Sequence, residues 1–458
     1  MQRREENRTR LLEGPIGLTL LRLTVPMIAA VMAMVAFNLT DTFFVGRLGT
    51  ASLAAMSFTF PIVFIVNSLT MGIGMGVSAV VSRAIGAGDE EQVRRLTTDS
   101  LLLAVIMVAI LATIGLLTIR PVFTLLGARA EILELVRGYI SIWFAGVIFV
   151  VIPMVGNSAI RATGDTKTPS LIMITAVAVN IVLDPLLIFG IGPFPRLELA
   201  GAAAATVAAR AVTMVVSLRI LIRREHMISF RRPRLQEVLA SWKSVLYIGL
   251  PTAATHMVIP LGIGIITRLV AGYGPAAVAA YGVGGRIDPI AMGTIMALGS
   301  ALGPFVGQNL GAGQIPRVWT AVRYSHAFSL VWGALAFGLL AIFARPLADV
   351  FSNDPEVVSI VTRYLHIMPL GYGFWGISML SNTTLNVLHR PWHASGVTVF
   401  YIFGLYIPLA LLGSHLIGLH GIFWGGASAA LGGGTIAYVV LRRVVLAECR
   451  EACIEPVA

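Results

Sequence analysis

Twelve predominantly apolar stretches, each about twenty residues or longer, follow one another along the chain with short polar turns between them. They predict helices near 15–44, 51–85, 94–118, 131–160, 167–190 and 199–224, then near 241–270, 276–309, 317–343, 355–387, 391–413 and 419–445. No connecting loop is long enough to hold a core of its own. The pattern therefore predicts an all-α polytopic membrane protein of twelve transmembrane helices. The basic start, Met1–Arg8, precedes an apolar run too long for a signal-peptide core and without an Ala-x-Ala site, so the first span is expected to be retained.

An internal repeat organises these helices. Shifted by 225 residues, Pro26 meets Pro251, Met71 meets Met296, and Arg120-Pro121 meets Arg345-Pro346. Gly49-x-Ala51-x-x-Ala54-Ala55 meets Gly274-x-Ala276-x-x-Ala279-Ala280, and Ile85-Gly86-Ala87-Gly88 meets Leu310-Gly311-Ala312-Gly313. Glu131, Tyr139 and Asn157 meet Glu356, Tyr364 and Asn382. Each copy holds six helices, and an even number makes the copies parallel. The expected layout is an N-terminal lobe over 1–224, a basic connector over 225–240, and a C-terminal lobe with a short tail over 241–458. Carriers built from such repeats bind substrate between the halves.

Composition agrees with a membrane chain: 57% of residues are hydrophobic and 12% charged, where soluble domains carry about 25% charged residues. The formal charge of +11 does not indicate nucleic acid, because the basic residues gather in alternate loops, the positive-inside pattern. Arg219, Arg223, Arg224, Arg231, Arg232, Arg234 and Lys243 face only Glu225 and Glu237 around the connector. That side is expected to be cytoplasmic, with both termini on it, in the cell (inner or plasma) membrane. The two cysteines, Cys449 and Cys453, lie in the tail, so disulfides hold nothing together.

The repeat also separates scaffold from chemistry. Asp41, Asn180 and Asp184 fall opposite Ile266, Leu405 and Leu409, so three polar groups of the first and fifth helices have apolar counterparts. A charge at membrane depth costs about 2.5–3.5 kcal/mol on insertion scales and marks a functional site by default. Asn180 and Asp184 are four apart and share a helix face. Two carboxylates and an amide in low dielectric can hold a proton, or offer hard oxygens to Na⁺. Thr206 is either a further hydroxyl for this site or bonded to its own helix. Tyr139 is a candidate too, although its copy at Tyr364 favours a structural role for both. Pro26 is the expected bending point of the first helix.

Asp288, in Arg286-Ile287-Asp288-Pro289, either pairs with Arg286 or occupies a wet cavity position against a cationic substrate. Methionines including Met34, Met173 and Met292 suit an adaptable apolar chamber, and Asn157 is grouped with them as cavity-lining. Gly72-Ile73-Gly74-Met75-Gly76 lies inside a span and reads as helix packing, not a nucleotide loop. His389 and His393 have no local acidic or thiol partner for a metal site. No phosphate-loop lysine motif for ATP is present.

Several stretches together resemble the multidrug and toxic compound extrusion (MATE) family of transporters, over nearly the whole chain. They are Val25-Pro26 with Asp41-Thr42-Phe43-Phe44-Val45-Gly46, Ser82–Asp89, Arg161-Ala162-Thr163-Gly164-Asp165-Thr166-Lys167-Thr168-Pro169, Asn180–Pro185, and Gly307-Gln308-Asn309-Leu310-Gly311-Ala312-Gly313. The resemblance implies two six-helix lobes related by a pseudo-two-fold axis. It implies export of cationic, amphipathic compounds by antiport with H⁺ or Na⁺. It is most like the prokaryotic DinF-like branch, whose first-lobe site matches Asp41, Tyr139, Asn180, Asp184 and Thr206. There, bending at the proline matching Pro26 is associated with protonation. The NorM-like branch carries acidic residues on helices seven and ten. Here those helices offer His256 and the neutral Ser378–Asn386 segment.

The expected protein is thus a secondary multidrug exporter and not an enzyme. It has no cofactor beyond its coupling ion, works as a monomer, and has amphipathic small molecules and membrane lipids as partners. The alternative is a flippase for lipids or lipid-linked oligosaccharides, which would need a more basic cavity. An intramembrane enzyme would need a nucleophile-base or metal constellation, and none is found.

Overall fold

The computed structural model describes residues 2–127, 129–231 and 234–454, with side chains from Arg4 to Glu448 within those stretches. The side chains of Arg3, Arg232, Cys449 and Cys453 therefore lie outside the described residues. Every described element is helical. The first half runs α1 (Gln2–Glu13), α2 (Ile16–Gly46), α3 (Thr50–Ala87), α4 (Glu90–Leu125), α5 (Ala130–Gly146), α6 (Ile148–Ala162), α7 (Lys167–Phe189) and α8 (Glu198–Arg219). The second runs α9 (Leu235–Ala271), α10 (Pro275–Gly311), α11 (Ile315–Ile342), α12 (Ala344–Phe351), α13 (Pro355–Ile367), α14 (Tyr372–Val387), α15 (Pro391–Val399), α16 (Ile407–Ile417) and α17 (Leu419–Ile454).

The backbone repeats with the period read from the sequence. α3 and α10 begin 225 residues apart, as do α4 and α11, and α5 and α13; α6 and α14 end 225 apart. The turns match too. Gly49 and Gly274 have φ of 107° and 101°, and Gly88 and Gly313 have 78° and 72°. These conformations are open to glycine at no steric cost, which explains why both copies keep glycine there. Asp89 then starts α4 by accepting from the Gln92 amide at 2.9 Å, a helix N-cap.

Among the described residues, ten helices are long and apolar enough to cross a membrane singly, and α5 with α6 form an eleventh, bent by 45°. The run 355–387 holds the twelfth place, at the repeat position of that bent pair. The structure thus has the expected helices but breaks three of them. Pro153 withdraws the donor that would bond Phe149, beside the α5–α6 bend. Met368–Gly371 narrows to a 3₁₀ turn containing Pro369. Phe400–Tyr406 widens to a π-helical turn just ahead of Pro408. The polar start, ahead of the first expected helix, forms α1. Its buried Arg4 pairs with Glu90 and donates to the Glu225 carbonyl at 3.3 Å.

Two compact units result. Of the described residues, one holds those within Val25–Ala253 and the start up to Arg10; the other holds Leu11–Thr24 and those from Ala254 on. The leading turns of α2 and α9 thus belong to the unit opposite the rest of their helix. Each changeover lies within three residues of a repeat-matched proline, Pro26 or Pro251. α2 itself continues through Pro26 without a break.

Within the first unit the connector is pinned by charge. Arg224 pairs with Asp165 and Glu225, each at 2.7 Å, and donates to Thr168 at 2.9 Å. Asp165 also caps α7, accepting from the Thr168 amide at 3.0 Å and its hydroxyl at 2.6 Å. The Arg161–Pro169 stretch therefore ties the end of α6, the start of α7 and the end of the sixth span together. Large apolar side chains such as Leu117 (78% exposed) and Val331 (68%) remain uncovered, as lipid-facing positions do.

Helix α8 approaches α7 closely at Gly201, where any Cβ would overlap the Leu187 carbonyl. Small residues permit such approaches where lipid supplies no hydrophobic drive. Gly201→Val is expected to cost about 1–3 kcal/mol by forcing the two helices apart. It should lower the melting temperature of the detergent-purified protein. Gly138→Val, at a position with open space around it, should leave that temperature unchanged.

Candidate functional site

α2 docks on α7 at both ends of their contact. Ser170 donates to the Met27 sulfur at 3.4 Å, and Phe44 meets Phe189 edge-on at 6.3 Å between ring centres. Asp41, one turn before Phe44, is thereby held inside the first unit, only 8% exposed. Asn180 and Asp184 face the same interior from α7 at 1% and 0%. Asn180 Nδ2 donates to Asp184 Oδ1 at 3.2 Å and to Thr206 Oγ1 on α8 at 3.4 Å. Thr206 therefore bonds across the α7–α8 contact and not to its own helix. Tyr139, on α5, lies within electrostatic reach of both Asp41 and Asp184, as the two carboxylates do of each other.

The five residues expected at the first-lobe site are thus brought together. Three buried oxygens among them, Asp41 Oδ1, Asn180 Oδ1 and Asp184 Oδ2, have no hydrogen-bond partner among the described residues. An unsatisfied buried polar atom costs about 1–3 kcal/mol, more when charged. Three in one place make a set of acceptors that a proton or a small cation would complete.

Asn180 and Thr206 also form the polar wall of a cleft whose other lining residues are Met34, Phe37, Met173, Ala176, Val177, Ala209 and Arg210. The cleft is narrow in this conformation, with a cavity volume of about 10 Å³, room for about one water. Of the residues expected to line a substrate cavity, Met34 and Met173 line this cleft. Asn157 does not: it accepts from Ser217 at 3.5 Å, deep between α6 and α8. Met292 is 1% exposed within the second unit. Arg210 went unnoticed in the sequence. The same control would have found it, since its repeat counterpart is Thr435.

Asp288 is partly exposed and, among the described residues, forms no ion pair with Arg286; two tyrosines hold it instead. Tyr364 donates to its Oδ2 at 2.8 Å and Tyr372 to its Oδ1 at 2.5 Å. Around them, Tyr281 meets Tyr364 edge-on and comes within 3.4 Å of the Tyr406 hydroxyl. Tyr401 stacks on Tyr406, with 6.2 Å between ring centres. The π-helical turn makes that stack available. Its wider spiral puts residues five apart near one face, where an α-helix would splay them. The repeat-matched tyrosines thus serve parallel roles, Tyr139 beside the carboxylates of the first unit and Tyr364 on the carboxylate of the second.

Repeated sets of long apolar helices define a polytopic membrane protein of the kind from which transporters are built. The MatE family model matches residues 26–186 and again 251–412, and the chain belongs to this family, the MATE transporters. It is 40% identical over 439 residues to the FAD transporter of Shewanella oneidensis, covering 96% of this chain and 97% of that one. It is 28% identical over 396 residues to the probable multidrug resistance protein YoeA of Bacillus subtilis, 85% of each chain. The Vibrio cholerae MATE transporter VcmN in its bent form superposes with a TM-score of 0.90 at 30% identity, over 97% of this chain and 99% of that one.

The clamp on Asp288 is testable without any substrate. Tyr372→Phe and Tyr364→Phe each strip one carboxylate oxygen of its donor. Each should destabilise the protein by about 1–3 kcal/mol, read as a lower melting temperature in detergent. Tyr438→Phe, a tyrosine outside the cluster, serves as the comparison and should not.

Proposed function

We propose that this chain is a secondary exporter driven by a cation gradient, with Asp41, Asn180 and Asp184 as its coupling site and Tyr139 and Thr206 beside them. One observation carries the reading: three buried acceptor oxygens on α2 and α7 lack partners among the described residues, and their carboxylates lie within electrostatic reach of each other. Outward-open, the carboxylates take up the cation. α2 then shifts, with Pro26 as its pivot, and displaces substrate from the adjoining cleft. A proton is the favoured ion, since a carboxyl can keep it with a single bond. Na⁺ would use the same oxygens. The orientation that fits the basic connector puts both termini on the cytoplasmic side of the cell membrane.

Two substrate classes have support. Cationic amphipathic compounds fit the carboxylates and the soft wall of Met34, Phe37 and Met173, and multidrug-resistance names recur among relatives such as YoeA. A flavin nucleotide is the second reading. It is favoured by the relative named as an FAD transporter, at 40% identity against 28% for YoeA. The same apolar wall would take a flat ring system.

The test is gradient-driven export of ethidium and of FAD from proteoliposomes, under a proton gradient and, separately, a sodium gradient. Asp41→Asn and Asp184→Asn should each reduce gradient-driven export at least tenfold, and Thr206→Val by a smaller factor. Full activity in both aspartate variants would refute the site. Export driven by sodium alone would replace the proton as the coupling ion.

A further inference from the structure

Arg210 is the unpaired cation of the cleft. It sits four residues beyond Thr206 on α8, so the two side chains share a face. Both line the same space as Asn180, Phe37, Met34 and Met173. Among the described residues Arg210 forms no ion pair, and its side chain makes no hydrogen bond; only its carbonyl is used, by Thr213. Neither Asp41 nor Asp184 lines the cleft. The wall thus presents a guanidinium without a counter-charge, inside a span of 27 residues.

Such a residue is costly at membrane depth and rare there without a task. It is not part of the repeated scaffold, whose other copy has Thr435. Its planar fork of donors matches a phosphate or carboxylate with two parallel bonds. Phe37 and the two methionines supply a polarisable surface for a flat apolar body. We propose that this cleft, once widened from the narrow space seen here, binds amphipathic organic anions, with the anionic group on Arg210 and an aromatic body against Phe37, Met34 and Met173. The proposal rests on the cleft being the substrate site and settles which charge that site selects.

Two probes isolate the anionic group, because flavin mononucleotide and riboflavin share one ring system and differ by a phosphate. Binding to the purified full-length protein is read from quenching of flavin fluorescence, and export from proteoliposomes loaded with each. The wild type should prefer the mononucleotide tenfold or more. Arg210→Met should abolish that preference, leaving riboflavin unchanged. Arg210→Lys, which keeps the charge but loses the fork, should retain part of it. Equal binding of both flavins by the wild type, including binding of neither, overturns the proposal. So does an equal loss for both in Arg210→Met with Arg210→Lys behaving like wild type.

Failure of the coupling site reads differently. In that case Asp41→Asn and Asp184→Asn would leave gradient-driven export intact, while the phosphate preference still depended on Arg210.

Discussion

A bilayer interior offers no hydrogen-bonding solvent, so each polar side chain in a span must find its partner within the protein. Most hydroxyls here solve this locally. Thr24, Thr70, Thr97, Ser100, Thr252 and Thr384 each bond the carbonyl four residues back on their own helix. Asn180 bonds Asp184 on its own helix, yet Asp41, Asn180 and Asp184 each keep an unpartnered buried oxygen, and Arg210 has no ion pair among the described residues. Their placement follows from the close approach at Gly201, which puts Thr206 within reach of Asn180.

The signs of the two charges bear on coupling. A cationic substrate and a coupling cation would repel, so occupancy of one would weaken the other without further machinery. An anion on Arg210 would instead be drawn toward a cation at the carboxylates. Exchange would then have to come from geometry, the movement of α2 across the cleft that Met34 and Phe37 line. The second unit has its own carboxylate, but from a different helix and already bonded by two tyrosines. Duplication has thus kept the tyrosine of each copy and relocated the acid it serves.

Much of this was legible in the sequence. Hydropathy located the spans, and one offset paired the halves, because helix length and glycine turns are local properties. The first-lobe site was legible for a related reason, since polar residues opposite apolar counterparts need no knowledge of packing. What escaped was non-local. The partners of Asp288 come from positions 76 and 84 residues away, and nothing in Arg286-Ile287-Asp288-Pro289 announces them. The bend near Val147 and the widened turn at Phe400–Tyr406 depend on how prolines are absorbed by neighbouring helices. Asn157 was grouped with the cavity because it is polar in a span, yet Ser217 had already claimed it. Arg210 was hidden among thirty-three basic residues, nearly all of them read as loop charge.

The exchange of leading turns at α2 and α9 makes the two halves of the chain mutually incomplete. Cutting the connector would not release two finished bodies: a fragment ending at residue 224 would carry Leu11–Thr24, which belongs to the other unit, and lack Leu235–Ala253 of its own. A single six-helix copy could be completed only by borrowing the same turns from a second copy, as swapped dimers do. Fusion of the copies in one chain fixes their ratio at one to one and lets each lend its leading turns without a search for a partner.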